Sequence, residues 1–158
     1  MLNLEIYSKK PENTFELGKK IGKLISAPFL ICLSGDLGTG KTCLTKGIGA
    51  GLNISENIVS PSFTLINEYK IPKGIFYHCD LYRLTNPIEI LSLGLEDFLL
   101  NSNSIIVIEW ADKLQLTEDK LDINLFHYKD GRKIIVKSSS SKYMNILKEL
   151  ENLVSTWN

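Results

Sequence analysis

Apolar and polar positions fall into blocks whose period changes along the chain. Leu2, Leu4 and Ile6 alternate with Asn3 and Glu5, which predicts a short strand over 2–7. From Pro11-Glu12-Asn13 the period lengthens. Phe15, Leu17, Ile21, Leu24 and Ile25 form a helical stripe that should face a sheet, and Ala27-Pro28 ends it. Phe29 to Ser34 is an apolar run of strand length. Helical spacing resumes with Leu44, Ile48 and Leu52, predicting a helix from Lys41 to about Gly51 in which Gly47 and Gly49 are weak points.

A hydroxyl-rich connection, Ile58 to Thr64, follows and contains Pro61. Leu65–Ile71 and Ile75–Cys79 then read as a hairpin around Pro72-Lys73-Gly74. Asn86-Pro87 opens another helix, with Asn86 as N-cap, and Leu95 to Leu99 forms a short helical turn. Ser104 to Ile108 is apolar without alternation, as suits a strand buried on both faces of a parallel sheet. Leu121–Tyr128 and Lys133–Lys137 are strands joined at Asp130-Gly131; Ser138 to Ser141 is a polar linker. Tyr143, Ile146, Leu147, Leu150 and Leu153 mark a C-terminal amphipathic helix. Helices alternating with strands, and no internal repeat, predict one α/β domain over 1–158. Its mostly parallel central sheet, with added antiparallel strands, lies between helical layers.

Composition narrows the function classes. The 158 residues are 44% hydrophobic and 23% charged, ordinary for a globular domain. Formal net charge is zero, and Arg83 and Arg132 are the only arginines among 18 basic residues. A protein gripping RNA through many phosphates carries a basic excess, so a nucleic-acid role is expected to be indirect. Cys32, Cys43 and Cys79 have no paired spacing and read as small apolar residues in a reducing compartment. No run approaches a membrane-spanning length and the first residues do not read as a signal peptide, so the cytoplasm is the expected location.

The chemistry concentrates between Gly35 and Thr42. Gly35-Asp36-Leu37-Gly38-Thr39-Gly40-Lys41-Thr42 fits the phosphate-binding pattern G-x-x-x-x-G-K-[ST], with a strand before it and a helix after it. Glycines 35, 38 and 40 let the backbone turn its N–H groups inward, and the helix N-terminus favours anionic oxygens. Lys41 would reach the β- and γ-phosphates of a nucleotide, and the Thr42 hydroxyl would hold Mg²⁺. An ordinary glycine-rich turn is the plainer alternative.

Ligands of open α/β sheets sit at the carboxyl ends of strands. Asp80 and Glu109 both end predicted strands there. Glu109 is the obvious metal carboxylate, one methylene longer than the usual Asp; otherwise it is a solvated strand-end charge. Asp80 could order the metal or activate water, or serve only as a capping Asp. His78 lies on the same strand face as Asp80 and reads as a structural, hydrogen-bonded residue. Arg83 could pair with Asp80, contact phosphate, or lie on the surface. Trp110 could pack near a nucleotide, although core is the commoner place for it.

The phosphate-loop residues, Ser60-Pro61-Ser62-Phe63-Thr64-Leu65, His78-Cys79-Asp80-Leu81-Tyr82-Arg83-Leu84 and Ile108-Glu109-Trp110 occur in this order. That set resembles the bacterial TsaE (YjeE) family over about residues 4 to 137. Thr39 and Ser62 depart from the usual Ala and Thr. The resemblance implies a P-loop ATPase of tRNA threonylcarbamoyladenosine biosynthesis that uses ATP and Mg²⁺. It would act with the TsaB–TsaD protein pair and meet tRNA only through that assembly. The implied nucleotide positions are Gly35, Gly38, Thr39, Gly40, Lys41, Thr42, Cys43, Asp80 and Arg132. Thr42 and Glu109 are the implied metal ligands, and Lys41, Asp80 and Glu109 the implied catalytic residues. Ser60 to Thr64 resembles a switch segment that senses the γ-phosphate.

Other classes compete. A small-molecule kinase on the same loop commonly brings several arginines to clamp phosphates, and this chain has two. A GTP switch lacks its N-K-x-D guanine-reading pattern here. A binding scaffold without turnover would not need acids at both strand ends.

Overall fold

The structure, a computed structural model, describes residues 2–61, 64–138 and 140–157. In chain order its elements are β1 (Leu2–Ser8), α1 (Pro11–Leu24), β2 (Phe29–Ser34), α2 (Lys41–Gly51), β3 (Ile66–Ile71) and β4 (Gly74–Asp80). Then come α3 (Pro87–Leu91), α4 (Leu95–Leu100), β5 (Ser104–Glu109), β6 (Leu121–Tyr128), β7 (Gly131–Ser138) and α5 (Met144–Val154). The strands form one 7-stranded sheet in the order β1-β7-β6-β2-β5-β4-β3. The centre, β6-β2-β5-β4, is parallel, and antiparallel pairing adds β7 and β1 at one edge and β3 at the other. β5 is buried at every residue, as its unbroken apolar run requires between two parallel neighbours.

Helices cover both faces, giving three layers. On one face Leu17, Ile21, Leu44, Ile48 and Leu150 pack on Ile31, Leu33, Val107 and Ile123. On the other, Ile90 and Leu95 pack on Cys32, Tyr77, Cys79 and Ile108. Burial pushes the Cys32 and Cys79 thiols up to about 12, so both behave as small apolar side chains. Cys43 differs: it is half-buried and its Sγ lies 3.5 Å from the Pro11 carbonyl.

α1 and α2 meet through interlocked glycines. A Cβ at Gly18 would lie 2.3 Å from the Leu44 carbonyl oxygen, and one at Gly22 2.2 Å from that of Ile48. Reciprocally, a Cβ at Gly47 would lie 2.2 Å from the Phe15 oxygen, and one at Gly51 2.2 Å from that of Lys19. Gly47 weakens α2 as an isolated helix but lets it lie backbone against backbone on α1. Gly49 faces elsewhere, where a Cβ would meet Ile58 Cδ1 at 1.8 Å. Packing thus reverses the expected penalty at Gly47, where the obstacle is backbone; at Gly49 it is the end of the Ile58 side chain.

Element ends shift where backbone contacts decide them. β3 starts at Ile66, because Leu65 turns with φ 64°. The β3–β4 turn is Pro72-Lys73, and Gly74 joins β4, where a Cβ would strike the Asn103 carbonyl at 1.9 Å. The β6–β7 turn is Lys129-Asp130 rather than Asp130-Gly131, with Lys129 at φ 50°. Gly131 joins β7, where a Cβ would lie 2.3 Å from the Ser8 carbonyl oxygen. In the predicted polar linker, Ser138 closes β7, Ser139 lies outside the described residues, and a 3₁₀ turn, Ser141–Tyr143, leads into α5. Among the described residues no helix is long and apolar enough to cross a membrane.

Candidate functional site

β2, β4 and β5 run parallel, so their carboxyl ends open on one edge of the sheet. The Gly35–Thr42 loop leaves β2 there. Two of its glycines are structurally required. At Gly35 a Cβ would sit 2.4 Å from the Leu125 carbonyl of β6. Gly40 takes φ 105° as the residue that starts α2, a left-handed conformation costly to any side chain. No side chain caps α2, so the first N–H groups of the helix, which have no partner within it, serve the cleft. Thr39 is buried and donates its hydroxyl to the Asp36 carbonyl at 2.8 Å.

Lys41 is 5% exposed. Its Nζ donates to the carbonyls of Gly35 at 2.5 Å and Asp36 at 2.9 Å and lies 4.2 Å from the Trp110 ring centroid. Burial lowers its pKa, and the carboxylates of Glu109 and Asp80 oppose that shift. Those acids therefore favour a charged ammonium in a partly dry site.

Asp80 and Glu109 stand opposite each other in the β4–β5 register. Glu109 is 2% exposed. The Thr42 hydroxyl donates to its Oε1 at 3.0 Å, with Oε2 at 3.3 Å, and also lies 3.1 Å from the Ser60 hydroxyl. His78 Nε2 contacts Glu109 Oε2 from within the sheet. Asp80 is only half-buried; its Oδ1 accepts the Tyr82 N–H at 2.9 Å. Burial raises the Asp80 pKa, the Tyr82 N–H works against this, and the neighbouring Glu109 charge adds to the rise.

Lys41, Thr42, Ser60, Asp80, Glu109 and Trp110 line a cleft of about 420 Å³, together with Cys43, Pro61, Leu65 and Arg83. Arg132 reaches the loop from the β7 side, donating from Nη2 to the Gly38 carbonyl at 2.9 Å. The structure therefore brings every predicted site residue to the Gly35–Thr42 loop or the cleft beside it. Of the predicted switch segment, Ser60, Pro61 and Thr64 are described. Ser62 and Phe63 lie outside the described residues.

Several contacts are not legible in a linear reading. Trp110 packs partly against the core but also turns its ring to the Lys41 ammonium, helped by a left-handed backbone at φ 61°. Lys113 donates to the carbonyls of Leu81, Tyr82 and Leu84 at 2.8, 2.8 and 2.7 Å, fastening the segment after Asp80 to the segment after Glu109. His127 Nε2 lies 3.2 Å from the Leu37 carbonyl. The one available signal was proximity: Lys113 follows Glu109-Trp110 closely in sequence.

Comparisons with known proteins point one way. The profile of the family described as Threonylcarbamoyl adenosine biosynthesis protein TsaE matches residues 8–134. A relative from Haemophilus influenzae, named tRNA threonylcarbamoyladenosine biosynthesis protein TsaE, is 35% identical over 159 residues, covering 96% of this chain and 100% of its own. One of the same name from a Nostoc species is 46% identical over 113 residues, 70% of this chain and 69% of its own. The crystal structure of Bacillus subtilis YdiB matches with a TM-score of 0.78 and 30% identity over 96% of each chain.

Proposed function

The chain belongs to the TsaE family of threonylcarbamoyladenosine biosynthesis proteins, and from that premise we propose that it binds and hydrolyses ATP with Mg²⁺ for this tRNA modification. The observation that carries the proposal is the convergence, on one cleft, of an uncapped helix N-terminus, the Lys41 ammonium and the Thr42–Glu109 pair. Convergent donors of this kind suit a polyphosphate.

The donor set fits the metal as well. Among the described residues no cluster of three or more His, Cys, Asp or Glu side chains surrounds a cation. Mg²⁺ asks for less, because it keeps waters and takes one or two protein oxygens beside substrate phosphates. Thr42 Oγ1 and Glu109 Oε1 would supply those oxygens; when bound, the ion neutralises charge on the phosphates. Lys41 would exchange its loop carbonyls for phosphate oxygens. Asp80, with a raised pKa and a half-open position, would hold the attacking water and accept its proton. Arg132 and Cys43 would border the nucleotide at the loop's flanks.

The Ser60 hydroxyl on Thr42 supports a switch. Metal at Thr42 would compete with that contact, so nucleotide state would alter the 58–65 connection and with it a surface for the TsaB–TsaD pair. The neutral net charge favours contact with tRNA through that pair. On this reading hydrolysis is slow alone and faster with the partners.

Phosphate release from ATP and from GTP tests the reading, with and without TsaB–TsaD and with candidate small-molecule acceptors. ATP-specific release stimulated by the pair, and lost in Lys41→Ala, is the expected result. Transfer to an acceptor would make the protein a kinase, and unchanged release in Lys41→Ala would remove the loop from the mechanism. In the same assembly Asp80→Ala should bind ATP and the pair yet fail to sustain repeated tRNA modification.

A further inference from the structure

His78 is buried completely. It lies between Phe76 and Asp80 on the α2 face of β4, in register with Val107 of β5, and Glu109 is the next residue of β5 on that face. Its Nε2 contacts Glu109 Oε2, while its Nδ1 is buried without a hydrogen-bond partner among the described residues. An ionised carboxylate only accepts hydrogen bonds, so the contact places a proton on Nε2. The ring is then a donor aimed at one oxygen.

That direction matters because Glu109 is a longer side chain than the Asp usual at such a strand end. Its extra torsion lets the carboxylate swing away from Thr42. A donor on Oε2 removes that freedom, leaving Oε1 for the Thr42 hydroxyl and the cleft. Ligating carboxylates are commonly oriented by such outer hydrogen bonds.

We propose that His78 is a positioning residue that pins Glu109 Oε2 through its Nε2–H, so that Oε1 and the Thr42 hydroxyl form a ready-made oxygen pair for Mg²⁺. The inference rests on the metal reading of Thr42 and Glu109 given above. It assigns His78 no contact with nucleotide, water or metal.

The test is calorimetric titration of ATP into the full chain, in EDTA and in Mg²⁺, for wild type, His78→Leu and His78→Gln. Circular dichroism melting accompanies each. In EDTA both variants should bind within about twofold of wild type, because His78 touches no phosphate-binding group. His78→Leu should lose about 10-fold or more of the Mg²⁺-dependent gain in affinity. His78→Gln, whose amide can place a donor near the Nε2 position, should recover most of it. Full Mg²⁺ enhancement in His78→Leu overturns the proposal. So does a folded His78→Gln that behaves like His78→Leu, because then ring volume and not the donor matters. Loss of folding in both variants also overturns it, by making His78 a core residue first. If wild type shows no Mg²⁺ enhancement, the metal reading itself fails, and that is visible before any variant is made.

Discussion

The two faces of the sheet are built on opposite terms. On the α1–α2 side the helices touch backbone to backbone through Gly18, Gly22, Gly47 and Gly51. On the α3–α4 side the helices are short, and Ile88 and Leu100 are 73% and 84% exposed. The first face anchors the helix that opens the Gly35–Thr42 loop. The second carries the segments after Asp80 and Glu109, where Leu81, Leu84 and Ala111 are buried and the polar Lys113 contacts tie the two segments together. Backbone-to-backbone contact thus lies where donors must stay aimed at a ligand, while the acid-bearing edge adds to its buried side chains polar bonds that water can replace.

The comparison breaks most sharply at Gly47. Gly47→Ala puts a Cβ 2.2 Å from a backbone oxygen that has no free rotation, so α1 and α2 must separate. A loss of about 3 kcal/mol in urea unfolding is expected. A change below about 0.5 kcal/mol would show that the helices adjust freely. Lys113→Met should cost less, about 1–2 kcal/mol, because the three carbonyls it leaves are partly reached by water. Its sharper effect should be faster amide exchange over 81–84, with the α1–α2 face unchanged.

Asp80 offers a pH-dependent contrast. Its pKa is raised by burial, so the folded chain favours the protonated form. The contribution is favourable below the ordinary carboxylate value of about 3.9 and is lost as pH rises through the higher folded value. Asp80→Asn should therefore raise the melting temperature at pH 7, keep the Tyr82 N–H contact, and lose its advantage near pH 3.5. An equal shift at both pH values would assign the effect to something other than charge. The smallest effect belongs to the open face: Leu100→Ser should change stability by less than about 0.5 kcal/mol.

Much of this was legible along the chain because local rules and tertiary structure agree. The apolar runs at 29–34 and 104–108 became the two central strands, and Pro11 began α1. The loop pattern, Asp80 and Glu109 met at one sheet edge because parallel strands align their ends. What was not legible depends on contacts between distant segments. The roles of Gly47 and Gly49 need α1 and Ile58, the partner of His78 needs the β4–β5 register, and the turn at Lys129-Asp130 needs Gly131 against Ser8. Propensity counts a glycine as a cost until its neighbour is known.

The strand order also governs how the site comes into being. β2 pairs only with β5 and β6, and Thr42 lies 67 residues before Glu109 in the chain. β1, the first strand, pairs only with β7. During synthesis the Gly35–Thr42 loop thus emerges long before either strand that flanks its own, while α1 and α2, close in sequence, can already dock. Such distant pairing places the chain among slower folders, because long loops must close before the sheet returns any stabilisation. A fragment ending before Ser104 retains the whole glycine loop but neither β2 neighbour nor Glu109, and it should bind no nucleotide.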